Sequence, residues 1–99
     1  MSRGEVMNKC LRITLWIQKI PKGFLKDAVQ KHANALKIEG TVQSMEEGVI
    51  KIVACGKKDT IDAFLDLLHK ETLKVAVEDM QIEPFLKEKD YRGVFRVIE

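Results

Sequence analysis

The sequence predicts an α+β protein in which two helices cover one face of a β-sheet. Five segments have the short apolar or alternating pattern that is typical of strands. Two other segments repeat apolar residues three and four positions apart, which is the spacing of a helix with one buried side. Along the chain these segments follow the order βαββαββ.

The first three strands are predicted from apolar alternation and a glycine-containing turn. The first strand alternates apolar with other residues and contains Leu11, Arg12, Ile13, Thr14, Leu15, Trp16 and Ile17. Residues 40–45 and 49–55 are the second and third strand candidates. Between them, Glu46-Glu47-Gly48 suits a short hairpin turn. We therefore expect the second and third strands to be antiparallel neighbours.

Two amphipathic helices lie between the strands. The first spans residues 24–36, and its buried stripe includes Leu25 and Val29. Asp59 can cap the second helix, which ends near Glu71. The apolar residues of the second helix recur three and four positions apart and are Ile61, Phe64, Leu65 and Leu68. Each helix therefore offers one apolar side to a shared core.

Two further strands complete the predicted order. The fourth begins at Val75 and is stopped by Pro84, because proline cannot donate to a sheet ladder. The fifth spans residues 94–98 and follows a charged stretch at residues 87–92. The sequence therefore predicts five strands in all.

This order predicts a ferredoxin-like two-layer sandwich, βαββαβ plus a fifth strand. Two right-handed crossovers that share one hairpin give an antiparallel sheet with both helices on one face. The 99 residues suffice for a single domain. We place that domain at residues 10–99, after a flexible N-terminal segment at residues 1–9.

Composition excludes several classes of protein. The formal net charge of +2 is too small for a general binder of nucleic acid. No segment approaches the roughly 18 apolar residues of a membrane span, and no signal peptide is evident, so we expect a cytoplasmic protein. Cys10 and Cys55 lack the spacing of zinc ligands, and we therefore predict reduced thiols, no metal and no cofactor. His32 and His69 fall on different helices, where we assign both to structural roles.

The predicted topology nevertheless brings the two cysteines together. If the first and third strands are antiparallel neighbours, the start of one lies beside the end of the other. Cys10 is then close to Cys55, so a disulfide is geometrically possible. Disulfides are rare in the cytoplasm, which is why the reduced state is preferred.

Five blocks of the chain carry a family pattern in a fixed order. The first, at residues 17–25, reads Ile-Gln-Lys-Ile-Pro-Lys-Gly-Phe-Leu. The others are Ala-x-x-Leu-x-Ile-x-Gly-x-Val from residue 33, Glu-Gly-Val-Ile-Lys-Ile-Val-Ala-Cys-Gly from residue 47, Ile-Asp-Ala-Phe from residue 61, and Val-Glu-Asp-Met from residue 77 with Phe-Arg-Val from residue 95. Together they resemble acylphosphatases, whose loop signature is G-R-V-Q-G-V-G-F-R, over about residues 10–98. The resemblance implies an acylphosphatase-like fold in a hydrolase family.

The resemblance also implies a site. In acylphosphatases the loop N–H groups cradle the substrate phosphate, an arginine binds its oxygens and an asparagine positions the attacking water. Carried over without a gap, the phosphate-binding loop candidates are Gln18, Lys19, Ile20, Lys22, Gly23 and Phe24. The arginine position falls on Leu25, and the asparagine position falls on Ser44.

Three departures from the family pattern fall on this site. Leu25 has no charge, whereas a guanidinium can hold two phosphate oxygens at once. Ser44 keeps a hydroxyl but lacks the planar amide, and Pro21 removes one N–H from the loop. We therefore interpret the chain as a pseudoenzyme that is inactive or very weak. It would keep an anion-binding loop for phosphate or an acyl phosphate, or act through contacts with a protein partner.

The main alternative is an active acylphosphatase that hydrolyses the carboxyl–phosphate bond with a rearranged site. In that case Lys19, Lys22 and Lys26 would supply the positive charge, and Ser44 would hold the water. An arginine that reaches the loop from another strand would favour catalysis, and the candidates are Arg12, Arg92 and Arg96.

The sheet face opposite the helices could bind RNA or another protein. The third strand has no aromatic residue, which argues against an RNA-recognition module. Trp16 is predicted to lie on that opposite face and could anchor a protein partner. Glu39, Thr41 and Gln43 indicate that the same face is largely polar on the second strand, so we do not predict a large hydrophobic interface.

Overall fold

The computed structural model describes residues 8–45, 48–84 and 93–98. Within these ranges five strands and two helical segments follow the predicted order βαββαββ. The strands are β1 (Asn8–Ile17), β2 (Glu39–Ser44), β3 (Val49–Lys57), β4 (Val77–Pro84) and β5 (Phe95–Ile98). The helices are α1, which joins Leu25–Gln30 to Lys31–Ala35, and α2, which spans Lys58–Thr72. The predicted turn residues Glu46 and Glu47 and the charged stretch at residues 87–92 lie outside the described residues.

The strands form a mixed sheet in the order β4-β1-β3-β2-β5. β1 pairs antiparallel with both β3 and β4, and Leu15 lies opposite Ile50 on one side and Met80 on the other. β2 pairs antiparallel with β3, which confirms the predicted hairpin neighbours. β5, however, runs parallel to β2. The prediction of an antiparallel sheet is therefore wrong at the last strand, because a chain that reverses after β4 runs in the direction of β1 and β2.

The core lies between one face of this sheet and the two helices. Ile13 and Leu15 of β1 are fully buried there, as are Ile52 of β3 and Phe64 of α2. The rings of Phe64 and Phe95 are tilted by 57° with centroids 6.3 Å apart, a geometry that aromatic quadrupoles favour. The predicted two-layer sandwich with both helices on one face is confirmed. We call the other side of the sheet the opposite face.

The first part of α1 has an unusual winding. Leu25–Gln30 is π-helical, and the Lys31 N–H donates to the Lys26 carbonyl, five residues earlier. Lys31–Ala35 continues as an ordinary α-helix. The predicted helix at residues 24–36 is therefore present, but its first half contains one more residue in each hydrogen-bonded turn than an α-helix would.

The end of α1 is capped by a left-handed residue. Lys37 has φ of 59°, a conformation that glycine usually supplies after a helix. The Ile38 N–H donates to the Ala33 carbonyl at 2.8 Å, five residues back. This is the long hydrogen bond of a Schellman motif, and it directs the chain into β2.

Cys10 and Cys55 form a disulfide between β1 and β3. They lie directly opposite each other in the antiparallel ladder, as the topology predicted, with Cα atoms 4.1 Å apart. The prediction of reduced thiols is wrong, because it rested on an assumed compartment and not on the geometry. Cys10 alternates with Leu11, whose side chain is in the core, so the cross-link lies on the opposite face.

The predicted domain bounds and location stay predictions. β1 begins at Asn8, two residues before the predicted start of the domain, and residues 1–7 of the proposed flexible segment lie outside the described residues. In the part of the chain that the structure describes, no helix has the length and apolar character needed to cross a membrane. Disulfides are more common in oxidising compartments than in the predicted cytoplasm.

Candidate functional site

The loop between β1 and α1 contains a tight turn. The Phe24 N–H donates to the Pro21 carbonyl at 3.0 Å and closes a four-residue turn whose third residue is Gly23. Gly23 has φ of 80°, which a type II turn requires at that position and which glycine adopts without strain. The Asp27 N–H then donates to the Gly23 carbonyl at 2.7 Å. This turn therefore leads the chain from the end of β1 into α1.

Four backbone N–H groups of this loop have no acceptor within the described part of the protein. They belong to Lys19, Ile20, Lys22 and Gly23. The Gln18 N–H donates instead to the Ala76 carbonyl at 3.4 Å, and Pro21 has no N–H. Backbone donors that are not used inside the fold must be satisfied by water or by a ligand. The loop thus presents a group of donors that could face an anion.

A pocket of about 470 Å³ lies between this loop and the end of β2. Its walls are formed by residues 20–26 and by Ser44. The structure therefore brings Leu25 and Ser44, the two positions implied by the family resemblance, to the same pocket. Among the loop candidates, Gln18 and Lys19 do not line it.

Leu25 is part of the pocket wall and also part of the hydrophobic core. Its side chain is 9% exposed and packs with the buried cluster beneath the helices. Phe24, the preceding residue, is buried in the same cluster. Both side chains therefore give the pocket an apolar boundary and offer no hydrogen-bond donor.

The positive charge at this pocket comes from lysine within the described residues. Lys22 and Lys26 line the pocket, and both side chains are exposed. Arg12 alternates with core residues of β1, and Arg96 pairs with a residue of β2 that faces away from the helices, so both arginines lie on the opposite face. Arg92 lies outside the described residues. Neither described candidate arginine therefore reaches the loop.

A smaller pocket of about 310 Å³ lies on the other side of the turn, towards the end of α2. Asp27, Glu71 and Lys74 contribute to its walls. His32 Nε2 lies 2.8 Å from Glu71 Oε2, and the nitrogen must donate because a carboxylate only accepts. This hydrogen bond, assisted by Lys74, holds the pKa of Glu71 below its usual value. His32 thus links α1 to α2, which agrees with the structural role assigned to it from the sequence.

Two expectations for Leu25 compete, and its burial decides between them. The apolar spacing places Leu25 in the buried stripe of the helix, which its burial confirms, whereas the family resemblance places it at the arginine position. One side chain cannot fill the core and reach into the pocket as a long polar group would. The pairing of His32 with Glu71 had no comparable signal, since the residues are 39 positions apart on different helices.

Comparison with known proteins identifies the family of this chain. The acylphosphatase family profile matches residues 16–97. The chain is 30% identical over 97 residues to an acylphosphatase of Coxiella burnetii (strain RSA 493 / Nine Mile phase I), and the match covers 98% of this chain and 99% of that protein.

Solved structures show the same fold. An acylphosphatase structure from Coxiella burnetii superposes with a TM-score of 0.77 and 27% identity, covering 92% of this chain and 93% of that one. The acylphosphatase from Bacillus subtilis superposes with a TM-score of 0.78 and 18% identity, covering 94% and 100%. The family match over most of the chain and the likeness to a relative along its whole length lead to one conclusion: this chain belongs to the acylphosphatase family.

Proposed function

We propose that this domain binds the phosphoryl group of an acyl phosphate in the pocket formed by residues 20–26 and Ser44, and that it hydrolyses the substrate slowly or not at all. The observation that carries the proposal is that the N–H groups of Ile20, Lys22 and Gly23, which line this pocket, have no acceptor among the described residues and lie beside the exposed side chains of Lys22 and Lys26. Backbone donors and cations together favour an oxyanion. Binding needs no further group.

Hydrolysis demands more of the site than binding does. Water must bond to phosphorus while the bond from phosphorus to the carboxylate oxygen breaks, which releases a carboxylic acid and inorganic phosphate. Positioning and charge stabilisation dominate this kind of reaction. A lysine is a point charge and does not reproduce a bidentate guanidinium, and the loss of one oxyanion donor typically costs about 100- to 1,000-fold in rate. We therefore expect slow turnover.

A second candidate is an active acylphosphatase with a rearranged site. It is favoured by the match to curated acylphosphatases along almost the whole chain. In this case the lysines would carry the charge of the missing arginine, and the Ser44 hydroxyl would position the attacking water. Both proposals use the same pocket and differ only in rate.

Two measurements on purified protein test the proposal. The first is a titration with inorganic phosphate followed at the backbone amides of residues 18–25 by NMR. Saturable shifts confined to this loop would support the binding site, whereas no shift would point to a domain that acts through protein contacts. The second is the hydrolysis of benzoyl phosphate. Binding with little turnover supports our proposal, and rapid turnover supports the active enzyme.

A further inference from the structure

The two residues that follow the Gly23-Phe24 turn differ in their exposure. Leu25 is turned into the core and is 9% exposed. Lys26 is exposed and lines the pocket that contains Ser44. Neighbouring residues on a helix point in different directions, so burial of the first leaves the second free to face another direction.

The π-helical winding fixes this arrangement at the start of α1. The Lys26 carbonyl accepts the five-residue hydrogen bond from the Lys31 N–H, so the backbone at Lys26 is held by the helix. A turn of this kind encloses one more residue than an α-helical turn. The winding therefore accommodates Leu25 in the core and Lys26 at the pocket without disturbing the packing of the later residues of α1.

The charged side chains near the turn also lie at different pockets. Asp27 does not line the pocket with Ser44 but lines the smaller pocket towards α2. Its carboxylate approaches Gly23, where an added Cβ would lie 2.9 Å from Oδ2. Lys22 lines both pockets, whereas Lys26 lines only the pocket with Ser44. The acidic group is thus directed to one side of the turn and the helix-anchored lysine to the other.

We infer that Lys26 is the phosphate-binding cation of this chain and takes the part that an arginine at position 25 would play. This inference rests on the proposed function, because it assumes that the pocket receives a phosphoryl group. Its ammonium supplies a single positive charge with rotatable donors, in place of a planar fork. Lys22, in the exposed turn between the two pockets, has a lesser part.

Arginine should strengthen phosphate binding at position 26 and not at position 25. Arginine at position 25 would have to replace a buried leucine, so its charge would either be buried in the core or disrupt the packing there. Arginine at position 26 would replace an exposed cation that already lines the pocket. Lys26→Arg, and not Leu25→Arg, is therefore the variant expected to strengthen phosphate binding.

The test is a titration with inorganic phosphate at constant ionic strength, followed at the loop amides. The natural chain is compared with Lys26→Ala, Lys22→Ala and Lys26→Arg. Lys31→Ala is the matched control, since Lys31 is an exposed lysine of the same helix and lies outside the walls of both pockets. All variants change exposed side chains, and their folded state is checked from the dispersion of the same spectra.

We expect Lys26→Ala to raise the dissociation constant about tenfold, the lower end of the range for a hydrogen bond to a charged group. Lys31→Ala should stay within about twofold of the natural chain, and Lys26→Arg should bind at least as tightly as it does. Binding by the natural chain that Lys26→Ala leaves unchanged, or that Lys31→Ala weakens equally, overturns the inference and leaves the proposed function standing. A natural chain that does not bind phosphate overturns both.

Discussion

Reduction of the Cys10–Cys55 disulfide should lower the free energy of unfolding by about 4 kcal/mol. The bond joins residues 45 positions apart, so it closes a loop through almost half of the unfolded chain. The loop-closure relation gives an entropy loss of about 13 cal/mol/K for such a loop, which is about 4 kcal/mol at 25 °C. For a domain of this size, that difference corresponds to a fall in the melting temperature of roughly 15 to 30 °C.

Urea unfolding with and without a reductant measures this effect. Fluorescence reports the transition, because Trp16 is the single tryptophan of the chain and lies in β1, which is paired on both sides. The reduced protein should unfold at a lower urea concentration and with a steeper dependence on urea, since an unfolded chain without the cross-link exposes more surface. A Cys10→Ser variant has no disulfide to reduce. It should unfold at the same urea concentration as the reduced protein, with or without the reductant.

Two results of the urea experiment would contradict a stabilising role of loop closure. If the oxidised and reduced proteins unfold at the same urea concentration, the cross-link does not restrict the unfolded chain in the way the loop length requires. A response of the Cys10→Ser variant to reductant would show instead that the reductant acts on something other than this bond. Either result would refute the assignment of stability to loop closure.

Three further predictions concern stability. Lys37→Gly should stabilise the protein by about 0.5 to 1 kcal/mol in urea unfolding, because glycine removes the cost of the left-handed conformation; a loss of stability would contradict this. Gly48→Ala should destabilise it by about 1 to 3 kcal/mol, since φ is 76° and the new Cβ would overlap the Ile17 carbonyl oxygen; an unchanged midpoint would be the contrary result. The pKa of Glu71 is lower in the folded protein than its value of 4.5 in the unfolded chain, so its ionised carboxylate stabilises the fold above pH 4.5. This stabilisation is lost as the pH falls through the pKa of the folded state. Glu71→Gln or His32→Asn should therefore make the free energy of unfolding fall less between pH 7 and pH 3 than it does in the natural chain. Unfolding midpoints at the two pH values test this, and variants with the same acid sensitivity as the natural chain would count against it.

Much of the fold could be predicted because the strongest signals are local. The alternation in β1 requires one face of the strand to be buried, and the spacing of Ile61, Phe64 and Leu68 requires a helix with one buried side. The short turn before β3 then requires β2 and β3 to be antiparallel neighbours in the sheet. The direction of β5 could not be read in this way, because it depends on how the chain crosses from one edge of the sheet to the other.

The candidate site was predicted less completely, since it depends on small shifts of orientation. The loop and Ser44 do meet at one pocket. The burial of Leu25 followed from the apolar spacing of the helix, whereas the π-helical winding of α1 has no periodic signal of its own and could not be predicted. The disulfide could have been predicted, because the expected strand order already placed Cys10 beside Cys55. Reduced thiols were predicted instead because disulfides are rare in the cytoplasm.

The winding of α1 also bears on how such a site can change during evolution. A substitution alters one side chain at a fixed place, whereas the loss of a single residue within Leu25–Gln30 would exchange a five-residue hydrogen bond for a four-residue one. The neighbour that faces the pocket would then change, while the α-helical part after Gln30 could keep its partners. The start of this helix is therefore a position where a single deletion would alter ligand preference, at the expense of the packing of Leu25, Ala28 and Val29 in the core.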